Sequence, residues 1–303
     1  MTPKGSHDLA LAYAGLILTT LFWAGNAVVA RAVADQIPAF ALSFWRWVIA
    51  LTLLLPFGLR HLRGKAAVVR ANWGWLLLLA ALSVGGYNTL LYLAAHSTTA
   101  INISLVSATI PVVIAALAWL LLGEAISAAQ SLGVAIALGG VLVIVSGGDW
   151  RALAALDFRA GDLLMVLAVT IWGLYTVLLR RRPLALHPLG LMTLLVVGGL
   201  LVILPFYLWE LATGSGGWWR PALLPALAYV GIFPSLLAYL LWNFGVATAG
   251  PNRSAIFIYL MPVFTALLAH VFLDEALRGF HALGGALILV GLYLASRLGR
   301  SGG

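Results

Sequence analysis

The stretch LALAYAGLILTTLFWAGNAVVAR, residues 9–31, carries no charge before its last residue. At about 1.5 Å of rise per residue, a helix of that length crosses the roughly 30 Å hydrocarbon core of a bilayer. A second stretch, AGDLLMVLAVTIWGLYTVLLR at residues 160–180, repeats the plan: Trp23 precedes Arg31, and Trp172 precedes Arg180, by the same eight positions. The two read as one transmembrane helix that occurs twice.

Working outward from that pair, apolar runs of spanning length recur along the chain. Ten are expected, at about 9–31, 38–59, 72–95, 98–122, 128–147, 160–180, 187–209, 221–247, 251–273 and 279–297. Composition agrees: of 303 residues, 63% are hydrophobic and 9% charged, with a mean hydropathy of +1.06. A soluble chain needs charge at about a quarter of its positions, so lipid must face most of this exterior. The segment from Met1 to Asp8 is short and runs into an apolar stretch too long for a signal-peptide core, so it reads as leading into an uncleaved first span.

The net charge of +8 does not point to nucleic acid, because the basic residues are scattered between apolar runs rather than gathered on one face. It follows topology instead. With both termini cytoplasmic, the inner side holds Lys4, Arg60, Arg63, Lys65, Arg70, Arg180, Arg181, Arg182, Arg253, Arg297 and Arg300. The outer side holds only Arg31, Arg151, Arg159, Arg220 and Arg278, and seven of the nine acids also fall there. Positive charge retained inside fixes that orientation, in the inner membrane of a bacterium. Trp73 and Trp75 inside, with Trp150, Trp209, Trp218 and Trp219 outside, fall where amphipathic rings settle at the interface.

The duplication extends well beyond the first pair. At an offset of 149 to 151, Leu55-Pro56-Phe57 falls on Leu204-Pro205-Phe206, and Pro111 on Pro262. Leu122-Gly123-Glu124 falls on Leu273-Asp274-Glu275, Leu132-Gly133 on Leu283-Gly284, and Gly140 on Gly291. The expected domains are therefore residues 1–150 and 151–303. Five helices per copy is odd, so the second copy enters from the opposite side. The fold class is an all-α membrane protein of ten transmembrane helices in a 5+5 inverted repeat, with a solute site between the copies near the midplane.

These residues resemble the drug/metabolite transporter superfamily, in its ten-helix branch of paired EamA repeats. Trp23-Ala24-Gly25-Asn26, Arg31, Arg46, and Pro111 through Leu122-Gly123-Glu124 to Gln130 and Gly133 carry the resemblance in the first copy. Trp172-Gly173, Pro262, Asp274-Glu275 and Gly284 carry it in the second. The second copy departs by placing Leu195 opposite Arg46 and His281 opposite Gln130, so those polar positions are expected to be asymmetric. Within the superfamily the aromatic content is most similar to the YddG-type exporters of aromatic amino acids. The resemblance implies alternating access by rocking one copy against the other.

Polar groups deep in a span face the protein interior or a cavity, because lipid offers them no partner. Trp23 and Asn26 lie on one face of the first span, Asn88 and Tyr92 on one face of the third, and Trp172 and Tyr175 on one face of the sixth. Tyr239 and Asn243 in the eighth lie opposite Asn88 and Tyr92, with the residue types exchanged. Rings supply apolar area and amides fix orientation, which suits an aromatic or amphipathic solute. Arg46 is the one charge placed deep in a span. Such a group costs at least about 2.5 kcal/mol at a helix centre, so it needs a partner: either a substrate carboxylate, or carbonyls and tryptophan faces of the protein itself.

Pro111 and Pro262, expected mid-span, are paired hinge candidates, as are Gly85, Gly86 and Pro234, which interrupt the third and eighth spans. The chain has no cysteine and no metalloprotease or nucleophile-elbow motif, so no enzyme activity, metal or cofactor is expected. Partners reduce to the bilayer and a small organic solute, with amino acids including aromatic ones as the leading class. A drug or other metabolite exporter of the same fold, and a passive channel, are the alternatives. No acid lies deep in a span, which leaves His270 and His96 as the only residues placed to carry a coupled proton.

Overall fold

The computed structural model describes the chain apart from residues 1–5, 34–35, 96, 99–102, 104–105, 152–159, 274–275 and 298–303. Lys4, His96, Arg159, Asp274, Glu275 and Arg300, and two further acids of the outer side, Asp35 and Asp157, lie outside the described residues. Within them every regular element is helical, as backbone in lipid requires when only intrahelical bonds can satisfy it.

The helices are α1 (Ser6–Val33), α2 (Ala39–Leu62), α3 (Ala66–Ala71), α4 (Trp73–Ala80), α5 (Tyr87–Ala95), α6 (Ile110–Leu122) and α7 (Ala128–Val145). There follow α8 (Ala160–Arg181), α9 (Pro188–Ala212), α10 (Leu224–Val230), α11 (Ala238–Ala249), α12 (Pro251–Ile256), α13 (Met261–Leu273) and α14 (Gly279–Arg297). Eight helical stretches are long and apolar enough to cross a membrane, and Ile110–Leu122 and Gly279–Ala295 are shorter apolar helices. The chain is a multi-pass membrane protein. Its outer surface is apolar in keeping, with Trp119, Leu120, Val271 and Phe272 each exposed by 65% or more.

Two of the spans are interrupted by π-helical turns, and a third, Pro251–Phe272, by a 3-10 turn at Phe257–Leu260. A π-helical turn, Ala81–Gly86, joins α4 to α5, and another, Gly231–Leu237, joins α10 to α11. Gly85 and Gly86 lie in the first turn and Pro234 in the second, where the missing amide hydrogen suits a broken ladder. Pro111 is the second residue of α6 and Pro262 the second of α13; Pro262 follows a 3-10 turn, Phe257–Leu260, and lies in the middle of the helical stretch Pro251–Phe272. The prolines inside helices are Pro56 in α2 and Pro205 in α9.

Packing repeats at the sequence offset. The first helix, α1, packs on α11 and α13, while α8, which matches it, packs on α5 and α6. Two contacts pair an element with its own counterpart: α2 with α9, and α7 with α14. The α7–α14 crossing is made by glycines. A Cβ on Gly140 would stand 2.5 Å from the Gly284 carbonyl oxygen, and one on Gly284 would stand 2.6 Å from that of Gly140. Gly133 and Gly291 meet in the same way one heptad along, with Cβ-to-oxygen distances of 2.6 and 2.5 Å. Backbone therefore touches backbone, as small residues allow in a bilayer.

Helix starts carry the same symmetry. Ser127 and Gln130 form a capping box on α7: the Ser127 hydroxyl accepts from the Gln130 amide at 3.2 Å, and the Gln130 side chain accepts from the Ser127 amide at 2.9 Å. At the start of α14 the imidazole of His281 accepts from the Arg278 amide at 3.0 Å, three residues back as in α7. The expected asymmetry of Gln130 and His281 is thus corrected. Two different side chains hold the same backbone group.

Candidate functional site

The centre of the molecule is built from α1, α2, α8 and the two spans with π turns. Trp23 and Trp172, one from each copy, meet edge to face with ring centroids 5.2 Å apart. Tyr239 packs on Trp172 at 5.4 Å and on Trp23 at 6.3 Å. Trp242 closes on both tryptophans, at 5.3 and 5.6 Å, and Trp47 stands edge-on to Tyr239 at 4.9 Å. Offset and T-shaped pairs of this kind are the arrangements that ring quadrupoles favour.

Each amide among the candidates contacts one phenol. Asn88 donates to the Tyr239 hydroxyl at 3.4 Å, linking the two halves of the sequence directly. Tyr92 donates to the Asn26 amide oxygen at 3.5 Å, and Tyr175 donates to that of Asn243 at 2.6 Å. At the offset of 149 to 151, Asn26 matches Tyr175 and Tyr92 matches Asn243, so these two pairs are copies with the types exchanged. The π turns contribute backbone acceptors at a matching position. The Ser83 carbonyl accepts from the Tyr239 hydroxyl at 3.3 Å, and the Pro234 carbonyl accepts from the Trp23 indole at 3.1 Å. Opening the i→i−4 ladder frees such carbonyls for side chains.

Arg46 breaks the symmetry. It is fully buried; its Nε donates to the Ser235 hydroxyl at 2.6 Å and its Nη1 to the Tyr92 hydroxyl at 2.7 Å. Its guanidinium carbon lies 5.4 Å from the Trp47 ring centroid. Leu195, its counterpart, is buried and apolar.

All nine residues singled out from the sequence, Trp23, Asn26, Arg46, Asn88, Tyr92, Trp172, Tyr175, Tyr239 and Asn243, thus belong to one network of rings and hydrogen bonds. Sequence reasoning missed Trp47, Trp242, Ser235, Ser83 and Tyr87, the last 5.6 Å from Trp172. Trp242 follows Tyr239 by three, a same-face step that a search for four-residue steps passes over. Ser235 precedes Tyr239 by four, a same-face step by which the sequence could have found it.

Two open apolar grooves lie away from this centre, with volumes of about 540 and 610 Å³. They occupy matching places: Val112, Ala115 and Leu138 line one, and Val263, Ala266 and Leu289 the other. Both lie on the side where α6 meets α7 and α13 meets α14, and they carry none of the polar network.

The ends of α8 and α9 show what the remaining charges do. Asp162 at the start of α8 accepts from the Thr98 hydroxyl, and Glu210 caps α2 by accepting from the Phe40 and Ala41 amides at 3.0 and 2.7 Å. Arg180 donates to the Ala247 carbonyl at 3.0 Å, and Arg182 donates to Asn72 at 2.9 Å while lying over Trp75. His270, in the last turn of α13, is exposed.

Comparison with known proteins gives this architecture its relatives. A transporter from Archaeoglobus fulgidus is 31% identical over 281 residues, covering 93% of this chain and 96% of that one. A protein from Streptantibioticus cattleyicolor named a probable terminal-alkyne amino-acid exporter is 29% identical over 304 residues, covering 96% of each chain. A crystal structure superposes with a TM-score of 0.79 over 98% of this chain and 99% of the other, at 21% identity, which speaks to the fold alone. The model of the EamA-like transporter family matches twice, over residues 10–146 and 159–297. With both halves matched and little left over, this chain belongs to the EamA-like transporter family.

Proposed function

We propose that this transporter carries amino acids, aromatic ones among them, by alternating access at the network of Trp23, Trp172 and the amide–phenol pairs. The observation that carries the reading is the convergence of those pairs, drawn from both halves of the sequence, on one ring cluster at membrane depth. Rings offer apolar area to a side chain, and amides and phenols offer both donors and acceptors to a polar head. The amino-acid exporter among the relatives supports the same class of solute. A YddG-type preference for aromatic amino acids is the narrower form of this reading.

In this reading the chain has ten spans in two inverted copies, residues 1–150 and 151–303, with both termini on the cytoplasmic side of a bacterial inner membrane. The symmetric glycine crossing of α7 and α14 is a fixed pivot. The π turns holding Gly85, Gly86 and Pro234, with the helix restarts at Pro111 and Pro262, are where the halves flex.

The test is counterflow in liposomes holding the purified protein, loaded with unlabelled tryptophan and offered labelled tryptophan, phenylalanine, leucine and threonine outside. Saturable counterflow that the aromatic amino acids inhibit is expected. Flux that never saturates marks a channel, and counterflow of none of the four refers the site to another class of metabolite.

A further inference from the structure

Three buried side-chain nitrogens in the central network have no hydrogen-bond partner: Arg46 Nη2, Trp47 Nε1 and Trp242 Nε1. All three are donors, and none of them can accept. Most acceptors of the same network are in use, the Asn88 amide oxygen excepted. The amide oxygens of Asn26 and Asn243 accept from Tyr92 and Tyr175, and the carbonyls of Ser83 and Pro234 accept from Tyr239 and Trp23. The centre therefore has donors to spare.

Its charge has the same sign. Arg46 is 0% exposed, and its hydrogen bonds go to two neutral hydroxyls. The described acids lie elsewhere, at helix ends and loops: Asp8, Glu124, Asp149, Asp162 and Glu210. Asp162 is bonded to Thr98, and Glu210 to the first amides of α2. A guanidinium among neutral groups lacks the paired anion that makes a buried charge tolerable.

We infer that the centre recognises its solute by a carboxylate held on Arg46, and that the solute's ammonium group adds little to affinity. This rests on the reading of the network as the solute site. A carboxylate is acceptor-only with two oxygens, and a guanidinium offers planar donors that match it, of which Nη2 is unengaged. An ammonium needs up to three acceptors, and beyond the Asn88 amide oxygen the amide and carbonyl oxygens of the network already accept a hydrogen bond. A single cation matches a single negative charge, so the class is monocarboxylates with an apolar or aromatic body. Amino acids belong to it, and so do their deaminated counterparts.

The experiment keeps the wild-type protein and varies the solute. Labelled tryptophan counterflow in liposomes is competed with 3-indolepropionate, which keeps the carboxylate and lacks the amine, and with tryptophanamide and tryptamine, which keep the amine and lack the carboxylate. Loss of one charge-assisted hydrogen bond is worth about tenfold or more in affinity. Indolepropionate is expected to compete within about threefold of tryptophan, and the two amines more weakly by about tenfold or more. Equal competition by tryptamine or tryptophanamide overturns the inference while leaving the solute site standing. If tryptophan is not carried, thermal stabilisation of the purified protein by the same four compounds decides. Stabilisation by the two acids alone supports the inference, and stabilisation by the amines overturns it. No stabilisation by any of them overturns the site reading and the inference together. Arg46→Gln, in parallel, is expected to bring acid and amine competitors to within about threefold of each other; an unchanged preference for acids counts against Arg46 as the holder.

Discussion

Adding one methyl group at Gly140 is the sharpest test of the α7–α14 crossing. A Cβ there would lie 2.5 Å from the Gly284 carbonyl oxygen and 2.9 Å from the Ile288 amide nitrogen, and real Cβ atoms keep at least 3.0 Å. The two helices must part by about 0.5 Å to reach even that limit. Both obstructing atoms are backbone, so no rotamer change relieves the clash. Overpacking of this kind costs about 1–3 kcal/mol. The neighbouring residue supplies the control: a Cβ on Gly139 meets nothing within 4 Å, so Gly139→Ala gains only helix propensity, about 0.5–1 kcal/mol in favour of folding. The assay is reversible unfolding in mixed micelles, following helix content against denaturant, with the two variants measured side by side. Gly139→Ala should equal or exceed wild type and Gly140→Ala should fall below Gly139→Ala by roughly 1–3 kcal/mol, since the propensity gain is common to both. A Gly140→Ala protein as stable as Gly139→Ala would refute the backbone-to-backbone contact.

Three further outcomes are expected. Reporter fusions at the carboxyl terminus and in the loop after α9 should place the first in the cytoplasm and the second outside; a periplasmic carboxyl terminus would reverse the assignment of every loop. Trp23→Ala and Asn243→Ala should each cut counterflow by about tenfold, the worth of one ring contact or hydrogen bond, with purified yield within about twofold of wild type. Equal loss of yield and flux would make these residues helix glue instead. A pH gradient imposed on liposomes without a solute gradient should drive no accumulation, because every described acid sits at a helix end or in a loop and His270 is exposed. Sustained uphill uptake would sink the facilitator reading, and its loss in His270→Gln would identify the proton carrier.

Much of the fold was legible in the sequence because lipid leaves few choices. A run of about 20 apolar residues in a bilayer must be a helix, and the limits read from the sequence fall within a few residues of most of the observed ones. The central network was legible for a related reason: an amide or phenol deep in a span has nowhere to point but inward. What periodicity could not report were departures from the α-helix. The π turns at Ala81–Gly86 and Gly231–Leu237 open the backbone ladder, and the carbonyls of Ser83 and Pro234 that they offer to Tyr239 and Trp23 are backbone groups that no side-chain pattern reveals. Nor could periodicity report that Pro111 and Pro262 each stand where one helical segment gives way to the next inside a span. His281 misled by chemistry, because an imidazole and an amide look unlike until both are seen accepting from a backbone amide three residues back.

If Arg46 holds the solute carboxylate as proposed, duplication gives it a second consequence. Trp23 matches Trp172 and Asn26 matches Tyr175 at an offset of 149, and Tyr92 matches Asn243 at 151, the last two with residue types exchanged. A site with only those groups would look nearly the same from either half, and a solute with distinct ends could lie in it two ways round. Arg46, with Leu195 in the matching place, removes that degeneracy. A carboxylate drawn to the side of Arg46, Tyr92 and Ser235 leaves its apolar body no equivalent alternative. A Leu195→Arg substitution, which restores the matching charge, should therefore add a second anion position rather than strengthen the first. In the same counterflow assay it should improve competition by indole dicarboxylates over indolepropionate, whereas improved competition by indolepropionate alone would show that the two halves do not present equivalent positions.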